Sequence, residues 1–180
     1  MAQLNEFEKR ILETATRAFV DAVDELNETA SGTVYAAVAY LTDGIVAVGL
    51  NANTIEHLEQ HSNASDVAIR EVHPALFDTF LWKPFGVLND ALEVFHERYE
   101  NGAFGFRVSP EEILLPLIIR AYRNAKVQER VFTTYQSPIL GGVGYADPDP
   151  TTQHSHVVAI SQQVNSTEWH QKILTTFPVA

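Results

Sequence analysis

Directly after Ser109-Pro110-Glu111-Glu112 the chain reads Ile113-Leu114-Leu115-Pro116-Leu117-Ile118-Ile119, a run whose apolar side chains point in every direction around a helix. A helix that is apolar all round has to be covered on most of its sides, so this one segment demands structure on several flanks at once. The four residues before it supply the start, with Ser109 as N-cap, Pro110 at the first helical position and Glu112 at the third. This spacing predicts a long helix from residue 109 to about 128, kinked where Pro116 removes a backbone hydrogen bond. The apolar run is far too short to span a bilayer.

Amphipathic elements surround it. Leu4, Phe7, Ile11, Ala15, Ala18, Ala22 and Leu26 recur at helical spacing and predict a helix over residues 4–28. Residues 33–41 and 45–50, rich in Val, Ala and Tyr and separated by Thr42-Asp43-Gly44, read as a β-hairpin. Asn53 as N-cap, with Glu56 at the third helical position, opens a short helix through about His61. Residues 63–74 have no period and read as a connection, and the aromatic run Phe77, Phe80, Trp82 and Phe85 reads as packing. Val87, Leu88, Ala91, Leu92, Phe95 and Tyr99 then mark a helix over residues 86–100.

Residues 139–146 read as a strand weakened by Gly141, Gly142 and Gly144. Residues 154–160 fit a strand or a helix; Asp149 as N-cap with Pro150 behind it favours the helix, with His154, Val158, Ser161 and Val164 or Asn165 on one stripe. A last helix runs from Ser166 to about Phe177, capped by Asn165 or Ser166. With no repeat or linker, the expected fold is a single α+β domain over residues 1–180. Its antiparallel sheet of about four strands includes 33–41, 45–50 and 139–146 and packs against several long helices.

Composition narrows the function classes. The 180 residues include no cysteine, which excludes a disulfide framework, a thiolate zinc site and a cysteine nucleophile. The N-terminus carries acids where a signal peptide carries basic and then apolar residues, so the expected location is the cytoplasm. Against 23 Asp and Glu stand 12 Lys and Arg, a net charge of −11 with histidines neutral. Cations so few and scattered build no face for nucleic acid, and an anionic membrane surface is disfavoured on the same grounds. A basic protein is the partner such a field attracts, although negative charge also keeps a cytoplasmic protein soluble.

Individual motifs carry little chemistry. His57 and His61 share a helix face as a metal pair requires, but His-Leu-Glu-Gln-His places its glutamate differently from the His-Glu-x-x-His of zinc proteases. Further donors, Glu56 and Asp66, have no diagnostic spacing, so no metal is expected. His154 and His156 point about 200° apart in a helix. Gly141-Gly142-Val143-Gly144 lacks the spacing and the following lysine of a phosphate loop, and Asp147 and Asp149 behind it read as a turn and a helix cap rather than a calcium loop. Ser137 and Ser161 sit in no Gly-x-Ser-x-Gly elbow, and Tyr135, Tyr145 and Trp169 read as half-buried core. No catalytic residue and no cofactor is therefore expected.

Charge placement says more. Asp90, Glu93, Glu97 and Glu100 repeat on one side of a predicted helix, and Asp21, Asp24, Glu25 and Glu28 crowd the C-terminal end of another, where the macrodipole disfavours negative charge. Arg120, Arg123, Lys126 and Arg130 lie near a helix C-terminus, where the dipole alone accounts for them. Solvated helix faces are the plain account of the acids; a basic partner is the functional one.

The order of a long helix, a hairpin turning at Thr42-Asp43-Gly44, then Asn53-Thr54-x-Glu56-x-Leu58, Trp82 and the Asn89-containing helix resembles a family of bacterial domains of unknown function, over about residues 4–165. Members of that family resemble immunity proteins of polymorphic toxin systems. The resemblance implies a stoichiometric inhibitor of a cognate toxin, brings no catalytic residues, and makes the two acidic stripes the expected partner-binding residues. The competing expectation is a small-ligand or metal-binding enzyme using His57, His61 and Asp66, or the histidines near 154.

Overall fold

The computed structural model of the protein describes residues 5–61, 66–103, 108–124, 139–145 and 153–178. Helix α1 (Glu6–Thr29) starts at a capping box that periodicity does not reveal: Asn5 Oδ1 accepts from the Glu8 amide at 2.9 Å, and the Glu8 carboxylate accepts from the Asn5 amide at 2.8 Å. Strands β1 (Val34–Leu41) and β2 (Val48–Thr54) form the expected hairpin. Its loop is longer than Thr42-Asp43-Gly44, because a tight 3-10 turn, Asp43–Ile45, is closed by the Thr42 hydroxyl accepting from the Ala47 amide at 2.9 Å. Gly44 and Ile45 both have positive φ, 64° and 56°. For a β-branched residue that backbone costs on the order of 1–3 kcal/mol, and full burial of the Ile45 side chain, about 1.5–3 kcal/mol, offsets it.

β2 runs on to Thr54 instead of ending near residue 50, which overturns the expected capping box at Asn53. Asn53 is buried in the strand, its amide donating to the Tyr35 hydroxyl at 3.0 Å, and Thr54 takes the capping position of α2 (Ile55–His61), accepting from the His57 amide at 3.2 Å. Strand pairing of Val34 with Thr54 wins over the local capping preference. Glu56 reaches across to Thr33, accepting from its amide at 2.7 Å and its hydroxyl at 3.1 Å.

The connection after residue 65 contains a helical turn α3 (Val67–Arg70), a 3-10 turn Pro74–Leu76 and a strand the aromatic run does not announce, β3 (Thr79–Leu81). Helices α4 (Gly86–Glu100) and α5 (Pro110–Tyr122) follow, the latter with the Ser109 and Glu112 capping box in place and continuous through Pro116. α5 ends at Tyr122, capped by Arg123, short of the expected residue 128; Lys126 and Arg130 lie outside the described residues, as do Tyr135, Ser137, Asp147 and Asp149. Residues 153–164 and 167–176 are helical, forming α6 (Gln153–Val164) and α7 (Thr167–Thr176), with Ser166 capping α7. The inward stripe of α6 is Gln153, Val157, Ile160 and Ser161, turned from the expected His154–Val158 register.

The chain is α+β, and its described strands form a four-stranded sheet in the order β3-β2-β1-β4. The sheet is mixed: β4 (Val143–Tyr145) runs parallel to β1, so the expected all-antiparallel arrangement holds for the other pairs only. A parallel neighbour needs a long crossover, and α4 and α5 lie in the stretch between β1 and β4. On one face α1, α4 and α5 pack around Phe19, whose ring meets Phe85 at 5.2 Å and Tyr122 at 5.4 Å. On the other, Pro74, α6 and α7 cover Val38. Gly141 and Gly144 are packing residues, since a side chain at Gly141 would strike the Tyr122 hydroxyl and one at Gly144 would strike Pro74, whereas Gly142 serves a backbone at φ 132°.

Because Ile118 is fully buried at the centre of α5, Ile118→Ala is expected to cost about 2–5 kcal/mol, and Leu115→Ala, buried but at the edge of an open cleft, a somewhat smaller amount. Urea denaturation measures both; losses under about half a kcal/mol at the two positions would place α5 outside the core.

Candidate functional site

The setting of α4 is fixed from two sides. Leu88, Leu92 and Phe95 are buried beneath it, and the Asn89 side chain clasps the backbone of Val48, accepting from its amide at 2.8 Å and donating to its carbonyl at 3.1 Å. Such a double hydrogen bond prevents the helix from rotating about its axis. At about 100° per residue, Asp90, Glu93, Glu97 and Glu100 then occupy an arc of roughly 80° on the outer side. All four are exposed, and none pairs with a cation among the described residues.

The second acidic stripe is not brought to the same surface. Phe7 of α1 stacks on Phe95 of α4 with centroids 5.8 Å apart, while Phe19 meets Phe85 just before α4 begins, so the two helices run antiparallel. Asp21 and Glu28, exposed, and Asp24 and Glu25, half-buried, therefore lie past the N-terminal end of α4, remote from Glu97 and Glu100.

The histidines divide among separate tasks. His57 and His61 stack face to face at 4.3 Å, with His57 Nδ1 3.7 Å from Asp78 and His61 Nδ1 3.1 Å from the His57 carbonyl oxygen. Stacked rings aim their nitrogens side by side rather than at one point, and Asp66 turns instead to Arg70 at 3.1 Å. No group of three or more potential ligands that could hold a metal exists among the described residues.

Two contacts escape sequence reading altogether. His170 Nδ1 lies 3.1 Å from Ser161 Oγ, which also accepts from Asn165 Nδ2 at 3.0 Å, an arrangement that superficially suits a nucleophile and its base. Ser161 is buried, however, and the cavity beside it is about 10 Å³, room for no more than a water. The contact joins α6 to α7, and Asn165 extends it to the backbone of Gly141.

Tyr145 donates to Glu111 Oε1 at 2.8 Å, and His156 Nδ1 sits 3.4 Å from the same oxygen, tying β4, α5 and α6 together beside an open cleft of about 680 Å³. Burial pushes the Tyr145 hydroxyl well above its ordinary value, reinforced by its bond to Glu111 and the charges of Glu111 and Asp43. Glu111, Tyr145 and His156 lie far apart in sequence and meet only through tertiary pairing, whereas Ser161, Asn165 and His170 fall within nine residues and meet because the chain turns between α6 and α7.

Comparison of the chain with protein-family models, with curated proteins and with solved structures finds no match in any of the three. No helix among the described residues is long and apolar enough to cross a membrane.

Burial also raises the Tyr35 hydroxyl and pushes that of Tyr122 up to about 12. A tyrosine raised in the folded state contributes stability that is complete below the unfolded value near 10 and is lost as pH climbs toward the folded one, at up to about 1.4 kcal/mol per pH unit for each group. Stability measured by denaturant melts is thus expected to fall above about pH 10. Absorbance at the phenolate band should show Tyr35, Tyr122 and Tyr145 ionising only as the chain unfolds; their ionisation in the folded protein at the ordinary tyrosine pH would contradict this account.

Proposed function

We propose that the protein is an immunity-like inhibitor that neutralises a basic bacterial toxin in the cytoplasm by stoichiometric binding. The observation that carries this reading is the outer face of α4, where Asp90, Glu93, Glu97 and Glu100 stand exposed and unpaired among the described residues. Like charges on one helix face repel, so a cationic surface relieves repulsion as well as adding attraction, and its approach is electrostatically steered. The resemblance to immunity-like domains supports the same conclusion, and Asn89, which belongs to that pattern, is the residue that sets the rotation of α4. Asp21, Asp24, Glu25 and Glu28 form a separate, second candidate surface. A metal or small-ligand enzyme built on His57, His61 and Asp66 gains no support from a geometry in which Asp66 pairs with Arg70.

The test is a pull-down with the protein encoded by the neighbouring gene or with a basic toxin domain, followed by association kinetics at low and high salt. Charge reversal in Glu93→Lys with Glu97→Lys should slow association about tenfold or more at low salt, with a smaller effect at high salt. The melting temperature should stay unchanged or rise, because repulsion within α4 is removed. Equal association rates for wild type and variant at both ionic strengths would defeat the reading.

A further inference from the structure

Beside the acidic arc, between α1 and α4, runs a groove of about 210 Å³ lined by Phe7, Arg10, Val87, Asp90, Ala91 and Val94. Val87 is 71% exposed and Val94 48%, although both sit on a helix whose other apolar residues are buried or half-buried. They are seven residues apart, two helical turns or about 10.5 Å along the axis. The groove floor is firm, since Phe7 stacks on the buried Phe95 and carries the Arg98 guanidinium 5.6 Å above its ring. A cavity of about 150 Å³ takes a benzene ring, so this space suits one aromatic or leucine-sized side chain.

The banks of the groove differ in charge. Asp90 opens the acidic side, continued by Glu97 and Glu93, while Arg10 and Arg98 hold the α1 side. A second copy of this chain is a poor occupant, because a symmetric contact through α4 would set acid against acid. Two antiparallel helices offer a ridge-lined groove to a third, and the two-turn gap between the valines takes one apolar anchor of a docked helix.

Resting on the reading that the outer face of α4 is the binding surface, we infer that this groove is the anchor point for a cationic amphipathic helix of the partner. One large apolar side chain seats between Val87 and Val94. Lys and Arg line the flank of the docked helix that meets Asp90, Glu93 and Glu97, and the flank facing Arg10 and Arg98 is free of cations.

The experiment uses the full chain, isotope-labelled for NMR, and two synthetic helical peptides of equal composition and charge. One carries a leucine and phenylalanine seam with lysines on a single flank; in the other the apolar residues are scattered around the helix. The seam peptide should shift the amide signals of Val87, Asp90, Ala91 and Val94 and bind at least about tenfold more tightly than its scattered counterpart. Val87→Ser with Val94→Ser, both at exposed positions, should abolish that tenfold advantage and leave a weaker, salt-sensitive binding. Equal, salt-sensitive binding of the two peptides would remove the groove from the account and leave the acidic face standing. Absence of any shift on α4 with either peptide would count against both. Dimerisation of the chain that the double serine variant reverses would hand the groove to a second copy and overturn the inference.

Discussion

The carbonyl of Ala37 accepts a hydrogen bond from the Tyr122 hydroxyl at 2.8 Å, deep in the protein, in the middle of a strand buried on both faces. A phenol taken that far from water has to find a partner, and the partner it finds couples the most apolar helix to the central strand. This geometry depends on what is absent: Gly141 has no side chain to obstruct the Tyr122 hydroxyl, and Ala36, Ala37 and Ala39 keep β1 narrow enough for layers to close on either side. β4 then pairs with β1 in parallel, and Gly144 leaves the space that Pro74 occupies on the far face.

Within that frame α4 is an outer element, and this is what frees it to carry charge. Its inner face needs only Leu88, Leu92 and Phe95, each worth about 1.5–3 kcal/mol when buried, whereas like-charge pairs along its outer face cost about 0.2–0.5 kcal/mol each. The helix can therefore tolerate a run of carboxylates at little expense to the fold. α5 has no such freedom: Leu114, Leu117, Ile118 and Ala121 are all buried, and its charged residues are confined to its two ends.

Local signals made the helices legible. The Ser109 capping box and the stripe of α1 are patterns within a few turns, and they appear in the fold where periodicity places them. Features decided by distant pairing were not. Asn53 has the residue type and spacing of a cap, yet becomes a strand residue because β1 extends its ladder to Thr54. β3 lay hidden in an aromatic run, where Phe85 is core but Phe80 and Trp82 are 50% and 41% exposed over Gly49. The parallel direction of β4 and the meeting of Glu111, Tyr145 and His156 depend on the crossover, which no short window contains. Val87 illustrates a subtler miss: counted among the apolar residues marking its helix, it lies about 100° around from Leu88, which takes it off the buried side. Val87 and Val94, seven apart with Asp90 between them, were in that sense a readable sign of a second apolar strip.

On the proposed reading, charge and apolar surface on α4 act at different stages of an encounter with a basic partner. Carboxylates exert their effect across a Debye length of about 10 Å at moderate salt, so they influence how quickly a basic partner arrives and in what orientation. A side chain in the α1–α4 groove acts only at contact, after water has left, and so governs how slowly the partner departs. Both demand a surface that does not have to reorganise on binding. The two hydrogen bonds between Asn89 and Val48 and the stacking of Phe7 on Phe95 supply that, holding the acids and the groove in register with each other before any partner is present. A helix held only by its apolar underside could rock and blur the boundary between the two strips. Pinned by Asn89, α4 presents the acidic arc and the valine pair as adjacent, differently natured halves of one surface, which is the arrangement that lets association and dissociation be adjusted separately.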